Sequence, residues 1–167
     1  MMPNEIELWG STLLVVKPYA DSEWKVSHLT DLPRNVPIKV MAWNGQSVRV
    51  ADAVINDPGT AADELEHEVY KVYVSGVRQR CSGTCQWPVL KKREGQVRVY
   101  AKDLKAGDHL IVHPRFGKDA LHNLTGFQRF GIASLAGAKY AVESGTLLTI
   151  SVTGGGSVLL GNGAFCG

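Results

Sequence analysis

Apolar and polar residues alternate with a period of two over much of this chain, as they do in β-strands that bury one face. Short runs rich in β-branched and aromatic residues, each bounded by turn formers, predict strands at 13–16, 38–43, 47–50, 69–74 and 97–100. Further strands are predicted at 109–113, 147–152 and 157–160. Short strands that recur about every ten residues favour a mainly antiparallel, all-β fold.

Turn signals are strong in this sequence, and helix signals are scarce. Asn44-Gly45, between two of the predicted strands, indicates a hairpin because both residues tolerate positive φ. Residues 63–67 are interpreted as coil because they run directly into the 69–74 strand. The best helix candidate is 121–142, but its glycines interrupt any long helix.

Length and composition predict one ordinary globular domain over residues 1–167, because 44% of the residues are hydrophobic and 20% are charged. The formal charge of +2 indicates no nucleic-acid partner, and Lys91-Lys92-Arg93 is interpreted as a solvated basic turn. Apolar runs of about five residues are too short for a membrane span, which needs about 20. No positively charged segment followed by an apolar core marks a signal peptide.

Four separated segments carry the motifs of the chain. They are the Gly10-Ser11-Thr12 turn, the Thr84-Cys85-Gln86-Trp87-Pro88-Val89-Leu90 stretch, the Ala-Lys-Asp-Leu-Lys-Ala-Gly-Asp segment at 101–108, and residues 152–167. In this order and at this spacing they resemble the Hint family, whose fold hedgehog autoprocessing domains and inteins share. The resemblance implies a domain that evolved for self-cleavage.

The resemblance also implies the architecture. A Hint fold is a flattened β horseshoe whose two ends meet in one cleft, so residues 10–16 are expected beside residues 147–165. The 101–108 segment is implied to be a structural turn in which Leu104 packs inward and Gly107-Asp108 redirects the chain. Residues 114–146 are expected to be a short insertion, too short for the homing endonuclease of many inteins.

Two positions of the resemblance lack the chemistry that the family uses. Counting back from the Gly10 turn places Glu7 where Hint proteins carry a Cys or Ser nucleophile, and a carboxylate cannot replace that group in an acyl shift. Trp87 stands where the family has a His, and indole has no titratable base. We expect Trp87 to fill the former cleft, against Val89, Phe165 and the strand that begins at Leu13.

The last segment lacks its chemistry as well. The alignment puts Thr149 at the family's acidic position and Gly156 at its His, while Cys166-Gly167 replace the final His-Asn pair. Asparagine cyclisation needs a side-chain amide, which glycine does not have. The positions interpreted as degenerate are therefore Glu7, Trp87, Thr149, Gly156, Cys166 and Gly167.

The three cysteines, Cys81, Cys85 and Cys166, leave several interpretations open. An odd number without a secretion signal favours a reducing compartment and unpaired buried thiols. In a Hint fold, Cys85 or Cys81 could instead approach Cys166 and form a disulfide, or a zinc site with His109 or His113. The spacing Cys-x-x-x-Cys is not that of strong zinc motifs, so no metal or other cofactor is predicted.

The favoured hypothesis is an inactive Hint-like domain that serves as a structural or protein-interaction module. Because Hint domains are common in bacteriophage genes, a short copy that begins at Met1 is expected to be an accessory protein of a virus particle, present in the host cytoplasm and the virion. One alternative is an active autoprocessing domain with an unorthodox nucleophile such as Ser11 or Cys166. Another is an unrelated β-barrel binding protein.

Overall fold

A computed structural model describes residues 5–19, 22–56, 65–74, 77–83, 85–113 and 131–167. These ranges form fourteen β-strands and two short 3-10 turns, the latter at Leu29–Asp31 and Ala101–Asp103. The strands are β1 (Glu5–Trp9), β2 (Leu13–Lys17), β3 (Lys25–His28), β4 (Pro37–Trp43), β5 (Val48–Asn56), β6 (Leu65–Val74), β7 (Val77–Cys81), β8 (Gln86–Lys91), β9 (Gly95–Tyr100), β10 (His109–Val112), β11 (Gly131–Gly145), β12 (Leu147–Val152), β13 (Ser157–Leu159) and β14 (Phe165–Cys166). In these ranges no helix is long and apolar enough to cross a membrane.

Strict alternation produces the most regular strands. In β12 the side chains of Leu148, Ile150 and Val152 are buried, and the residues between them are partly exposed. β4 and β5 form the hairpin predicted at Asn44, whose Oδ1 accepts hydrogen bonds from the amides of Gln46 and Ser47 at 2.8 and 2.9 Å. The all-β prediction is therefore confirmed, and every strand pairing that the structure describes is antiparallel.

The strands follow one hydrogen-bonded path, in the order β14-β13-β4-β5-β12-β1-β7-β6-β11-β10-β8-β9, with β2 and β3 attached to β4. Strands from opposite ends of this path nevertheless touch. Gly167 N donates to Gln86 O at 2.7 Å, and Val112 bridges Ala164. The sheet therefore curves back on itself, which confirms the horseshoe.

The two ends of the described chain also lie side by side, as expected. β1 pairs with β12 over five residues. At the start of β2, Leu13 O accepts a hydrogen bond from Gly161 N at 2.8 Å, and Leu14 bridges Leu160. These contacts connect residues 10–16 with residues 147–165, so the predicted meeting of both chain ends in one region is confirmed.

The apolar side chains form two clusters. The main cluster is the larger and includes Leu8, Leu14, Trp87 and Ile150. The second cluster comprises Val15, Met41, Trp43, Val48, Ile111, Leu159 and Phe165. Consecutive residues of β2 contribute to different clusters because successive side chains of a strand point to opposite faces.

The turn at 101–108 has the predicted form. Leu104 is buried, and Gly107 adopts a φ of 91°, which a residue with a side chain rarely adopts. Asp108 Oδ2 accepts a hydrogen bond from Lys105 N at 2.9 Å, and β10 begins at the next residue. The segment is a structural turn, and Asp108 stabilises it.

Two predictions about irregular segments were wrong. Residues 65–67 are not coil but the first part of β6, and residues 131–142 are not helical but lie in β11. The latter half of the expected 114–146 insertion is therefore part of the sheet. β6 and β11 pair from Leu65 opposite Gly145 to Val74 opposite Leu135. This long-range pairing overrides weak local signals, and burial alternates along 133–136 as in a strand.

Candidate functional site

The Gly10-Ser11-Thr12 turn connects β1 to β2 and is fixed by hydrogen bonds. Thr12 is buried; its amide donates to Trp9 O at 2.9 Å, and its Oγ1 accepts from Gln79 Nε2 at 3.0 Å. Ser11 is exposed, and a ring nitrogen of His28 donates to its backbone carbonyl at 2.9 Å. Thr12 is thus a structural residue of the turn, whereas Ser11 lies at the surface.

Glu7 lies in the middle of β1, directly opposite Thr149 of β12. Both side chains are partly buried, and the flanking positions Ile6, Leu8, Leu148 and Ile150 belong to the main cluster. By strand alternation, Glu7 and Thr149 share the other face of this strand pair. The structure therefore brings together two of the six positions interpreted as degenerate.

Trp87 lies on β8 and is completely buried; it is the largest such side chain among the described residues. It belongs to the main cluster, as do Val89 and the β2 residue Leu14. Its Nε1 forms no hydrogen bond of acceptable geometry. The indole N–H lies near Cys81, and this proximity lowers the pKa of the Cys81 thiol, against the larger effects that raise it. The expected contact with Phe165 was wrong, because Phe165 packs in the second cluster, 6.0 Å from Trp43 between ring centroids.

The three cysteines form one buried group beside Trp87, and all are free thiols. Cys85 Sγ lies 2.9 Å from Cys166 Sγ. Cys81 lies near the Cys85 side chain, and its Sγ donates to Tyr70 O at 3.6 Å. Of the two cysteines considered as partners for Cys166, it is therefore Cys85 that the fold places beside it.

The pKa of each of the three thiols is raised, by contact with a neighbouring thiol at Cys85 and Cys81 and by burial at all three. The hydrogen bond to Cys166 contributes most at Cys85, contact with Cys85 contributes most at Cys81, and burial contributes most at Cys166. The negative charge of Glu7 raises the pKa of Cys85 a little further. Because the thiolate is the reactive form, these cysteines are poor nucleophiles in the folded protein at neutral pH.

Gly167 is held tightly next to this group. Its amide donates to Gln86 O at 2.7 Å, and its carbonyl accepts a hydrogen bond from Ser157 Oγ at 2.7 Å. A Cβ at this position would overlap Ile6 Cδ1 and lie 2.7 Å from Ile6 Cγ1, and φ is +113°. An Asn at this position would therefore strain the backbone and require the Ile6 side chain to shift.

Gly156 lies apart from the thiols, against β4. Its φ is +97°, and a Cβ would lie 2.9 Å from the Trp43 carbonyl oxygen. A His at this position would be strained by both the backbone conformation and the contact. Gly156 does not join the group, but the next residue, Ser157, does so through its hydrogen bond to Gly167.

The structure thus brings Cys85, Cys166 and Gly167 together, with Cys81 and Trp87 beside them. Glu7 and Thr149 instead face each other on the other face of the β1–β12 pair. Thr84 lies outside the described residues. Two residues that were not among the predicted site residues, Gln86 and Ser157, form the hydrogen bonds that hold Gly167 in place. Ser157 could have been noticed as a polar residue that opens the apolar run 157–160, but a backbone carbonyl such as that of Gln86 leaves no signal in a sequence.

Neither histidine proposed for a zinc site joins the thiols in a metal-binding group. His109 is exposed at the start of β10, and His113 is buried with its amide bonded to Gly163 O at 2.8 Å. Across the part of the chain that the structure describes, no three His, Cys, Asp or Glu side chains are arranged to hold a metal ion.

Solved structures of inteins resemble this chain over nearly its whole length. The TvoVMA intein matches with a TM-score of 0.68 at 12% identity, covering 99% of this chain and 98% of that one. The transcription factor IIB Mvu mini-intein matches with a TM-score of 0.65 at 14% identity, covering 96% and 98%. The bacterial intein-like domain from Clostridium thermocellum matches with a TM-score of 0.58 at 13% identity, covering 96% of each chain.

No protein-family model and no curated protein matches the chain. The structural matches nevertheless cover both the strands that carry the motifs and the strands between them. They exclude the alternative of an unrelated β-barrel. The similarity that four short motifs predicted is therefore confirmed at the level of the fold: the chain is a Hint-fold, intein-like domain.

Proposed function

We propose that this domain no longer cleaves or splices itself and serves as a structural or protein-interaction module. The observation that carries the proposal is the complete burial of Trp87 at the position aligned with the His that polarises the scissile amide. A buried indole fills space and can donate one hydrogen bond, but it cannot exchange a proton with a reacting group. Trp87 therefore cannot carry out the proton transfer that the first step requires at this position.

The position aligned with the nucleophile supports the same proposal. Glu7 is a carboxylate, and its neighbour across the strand pair is Thr149 rather than an acidic residue. An acyl shift requires a thiol or hydroxyl that attacks the preceding carbonyl. Neither Glu7 nor the surrounding strand supplies one.

The other end of the domain gives independent support. Gly167 and Gly156 adopt positive φ values, and a Cβ at either would collide with Ile6 or with the Trp43 carbonyl. The packing has therefore closed over the positions where inteins carry the side chains of their last step. Restoring the missing side chains at Gly156 and Gly167 would therefore also require the neighbouring residues to move.

The rival proposal, an autoprocessing domain that uses Ser11 or Cys166, has less support. The Cys166 thiol is buried with a raised pKa, which disfavours the thiolate. Ser11 lies on an exposed turn, where the ring of His28 bonds to its backbone carbonyl. That contact fixes the turn and does not activate the hydroxyl.

We further propose that the partner is a protein, within a large assembly such as a bacteriophage particle. This part of the proposal extends the family resemblance, since Hint domains are common in phage genes. The surface offers apolar groups for contact: Tyr19 is 61% exposed, Tyr140 55% and Val142 54%.

The absence of a first step can be tested with an unrelated protein fused in front of Met1. Incubated with dithiothreitol or hydroxylamine, which cleave thioesters and esters, this fusion is expected to keep its full mass. Matched fusions that carry Ser11→Ala or Cys166→Ala should behave identically. If the fusion instead breaks beside residue 7 or residue 11, and Ser11→Ala or Cys166→Ala prevents the break, the rival proposal is correct.

A further inference from the structure

We propose that Cys85 and Cys166 form a disulfide when the protein meets a small disulfide oxidant such as oxidised glutathione. The bond would fasten β14 to the start of β8 across the closed end of the horseshoe. This inference does not depend on whether the domain cleaves itself, because it rests only on the packing of two thiols, one of which, Cys166, occupies a position interpreted as degenerate.

The fold places the sulfurs of the two cysteines next to each other. Their sulfurs lie 2.9 Å apart although 81 residues separate them in the chain. The residues next to them are joined as well, since Gly167 N donates to Gln86 O at 2.7 Å. Disulfides require close Cα atoms and converging Cβ atoms, and the hydrogen bond between the neighbouring residues holds the two backbones together.

Cys81 could compete with Cys166 for a disulfide bond to Cys85, but the structure disfavours that pairing. Its Sγ donates to Tyr70 O on the neighbouring β6 at 3.6 Å. Its side chain also lies near that of Cys85, so Cys85 has Cys166 on one side and Cys81 on the other. Cys85 can therefore bond to Cys166 directly, and Cys81 is the thiol that could later exchange with it.

The reaction proceeds by two thiol–disulfide exchanges. In the first, a cysteine thiolate attacks one sulfur of oxidised glutathione, breaks its S–S bond and expels one glutathione thiolate. In the second, the other cysteine attacks the sulfur of the mixed disulfide and expels the second glutathione. The protein loses two thiol protons and two electrons, and one oxidised glutathione becomes two reduced molecules.

Burial determines when this reaction can occur. Both sulfurs are enclosed, so the oxidant reaches them only while β14, a strand of two residues, is separated from β8. The thiols are also largely protonated in the folded state, because their pKa values are raised. Oxidation should therefore be fast during refolding and much slower once the protein has folded.

The experiment is to refold the fully reduced chain with oxidised glutathione, block the remaining thiols and map the peptides without reduction. We expect a linked pair of peptides that contain Cys85 and Cys166, a loss of two hydrogens in intact mass, and an alkylated Cys81. Closing a loop of this length should raise Tm on the order of 10 °C relative to the protein refolded with reduced glutathione. Dithiothreitol should reverse both changes.

Two variants provide controls. Cys81→Ser should form the same linked peptides, whereas Cys166→Ser should lose them together with the rise in Tm. A wild-type map that shows Cys81 joined to Cys85, stable mixed disulfides with glutathione, or three alkylated cysteines would overturn the proposal. The peptide map of the wild-type protein is sufficient to support or overturn the proposal, so the test does not depend on whether either variant folds.

Discussion

Replacing Trp87 with alanine is expected to lower the free energy of unfolding by about 3–5 kcal/mol, the range of large-to-small aromatic changes in protein cores. The indole is completely buried in the main cluster, between strands that come from distant parts of the sequence. Its removal would leave a cavity where the two ends of the horseshoe meet. Denaturant unfolding monitored by circular dichroism measures the loss.

A matched control separates a core role from a surface role. Tyr19→Ala removes an aromatic side chain that is 61% exposed, and the hydrogen bonds between Tyr19 and Ser22 use the backbone of Tyr19. We expect this change to cost less than about 1 kcal/mol, as surface substitutions do. If Trp87→Ala were as mild as Tyr19→Ala, Trp87 would not be the core residue that closes the cleft.

Gly167→Asn, which restores the residue of the last splicing step, is expected to destabilise the domain by about 2 kcal/mol, the scale of overpacking and backbone strain. The new Cβ would overlap Ile6, and relief of that overlap would break the hydrogen bonds to Gln86 and Ser157. The substitution should not initiate cleavage. Thermal unfolding gives the first result, and intact mass gives the second.

The control for this change is Gly45→Asn, in the hairpin between β4 and β5. Gly45 also has a positive φ, +96°, but a Cβ added there would meet nothing within 4 Å. It therefore reports backbone strain without the collision, and should cost clearly less than Gly167→Asn. If both substitutions lowered the free energy of unfolding equally, packing against Ile6 would not be what excludes a side chain at Gly167.

The strands with regular alternation could be predicted from the sequence, whereas the first residues of β6 and the whole of β11 could not. β12 has the predicted bounds because Leu148, Ile150 and Val152 alternate with partly exposed residues. β6 and β11 instead depend on each other, through a pairing that joins residues about 60 to 80 positions apart. Local periodicity contains little information about such a partner.

The candidate site shows the same division. The spacing of four motifs was enough to identify Glu7, Trp87 and Gly167 as positions of interest. It could not show that Gly167 packs against Ile6, or that Cys166 reaches Cys85 rather than Cys81. Those facts depend on how the sheet curves back on itself, which brings β14 to β8.

The most direct test of the central claim is the mass of a fusion that carries one unrelated protein in front of residue 1 and another after residue 167. A splicing intein in the same flanks serves as the positive control. The account predicts a single product of the full fusion mass after long incubation, with or without thiol. Ligated flanks, or a free flank released at either junction, would contradict it.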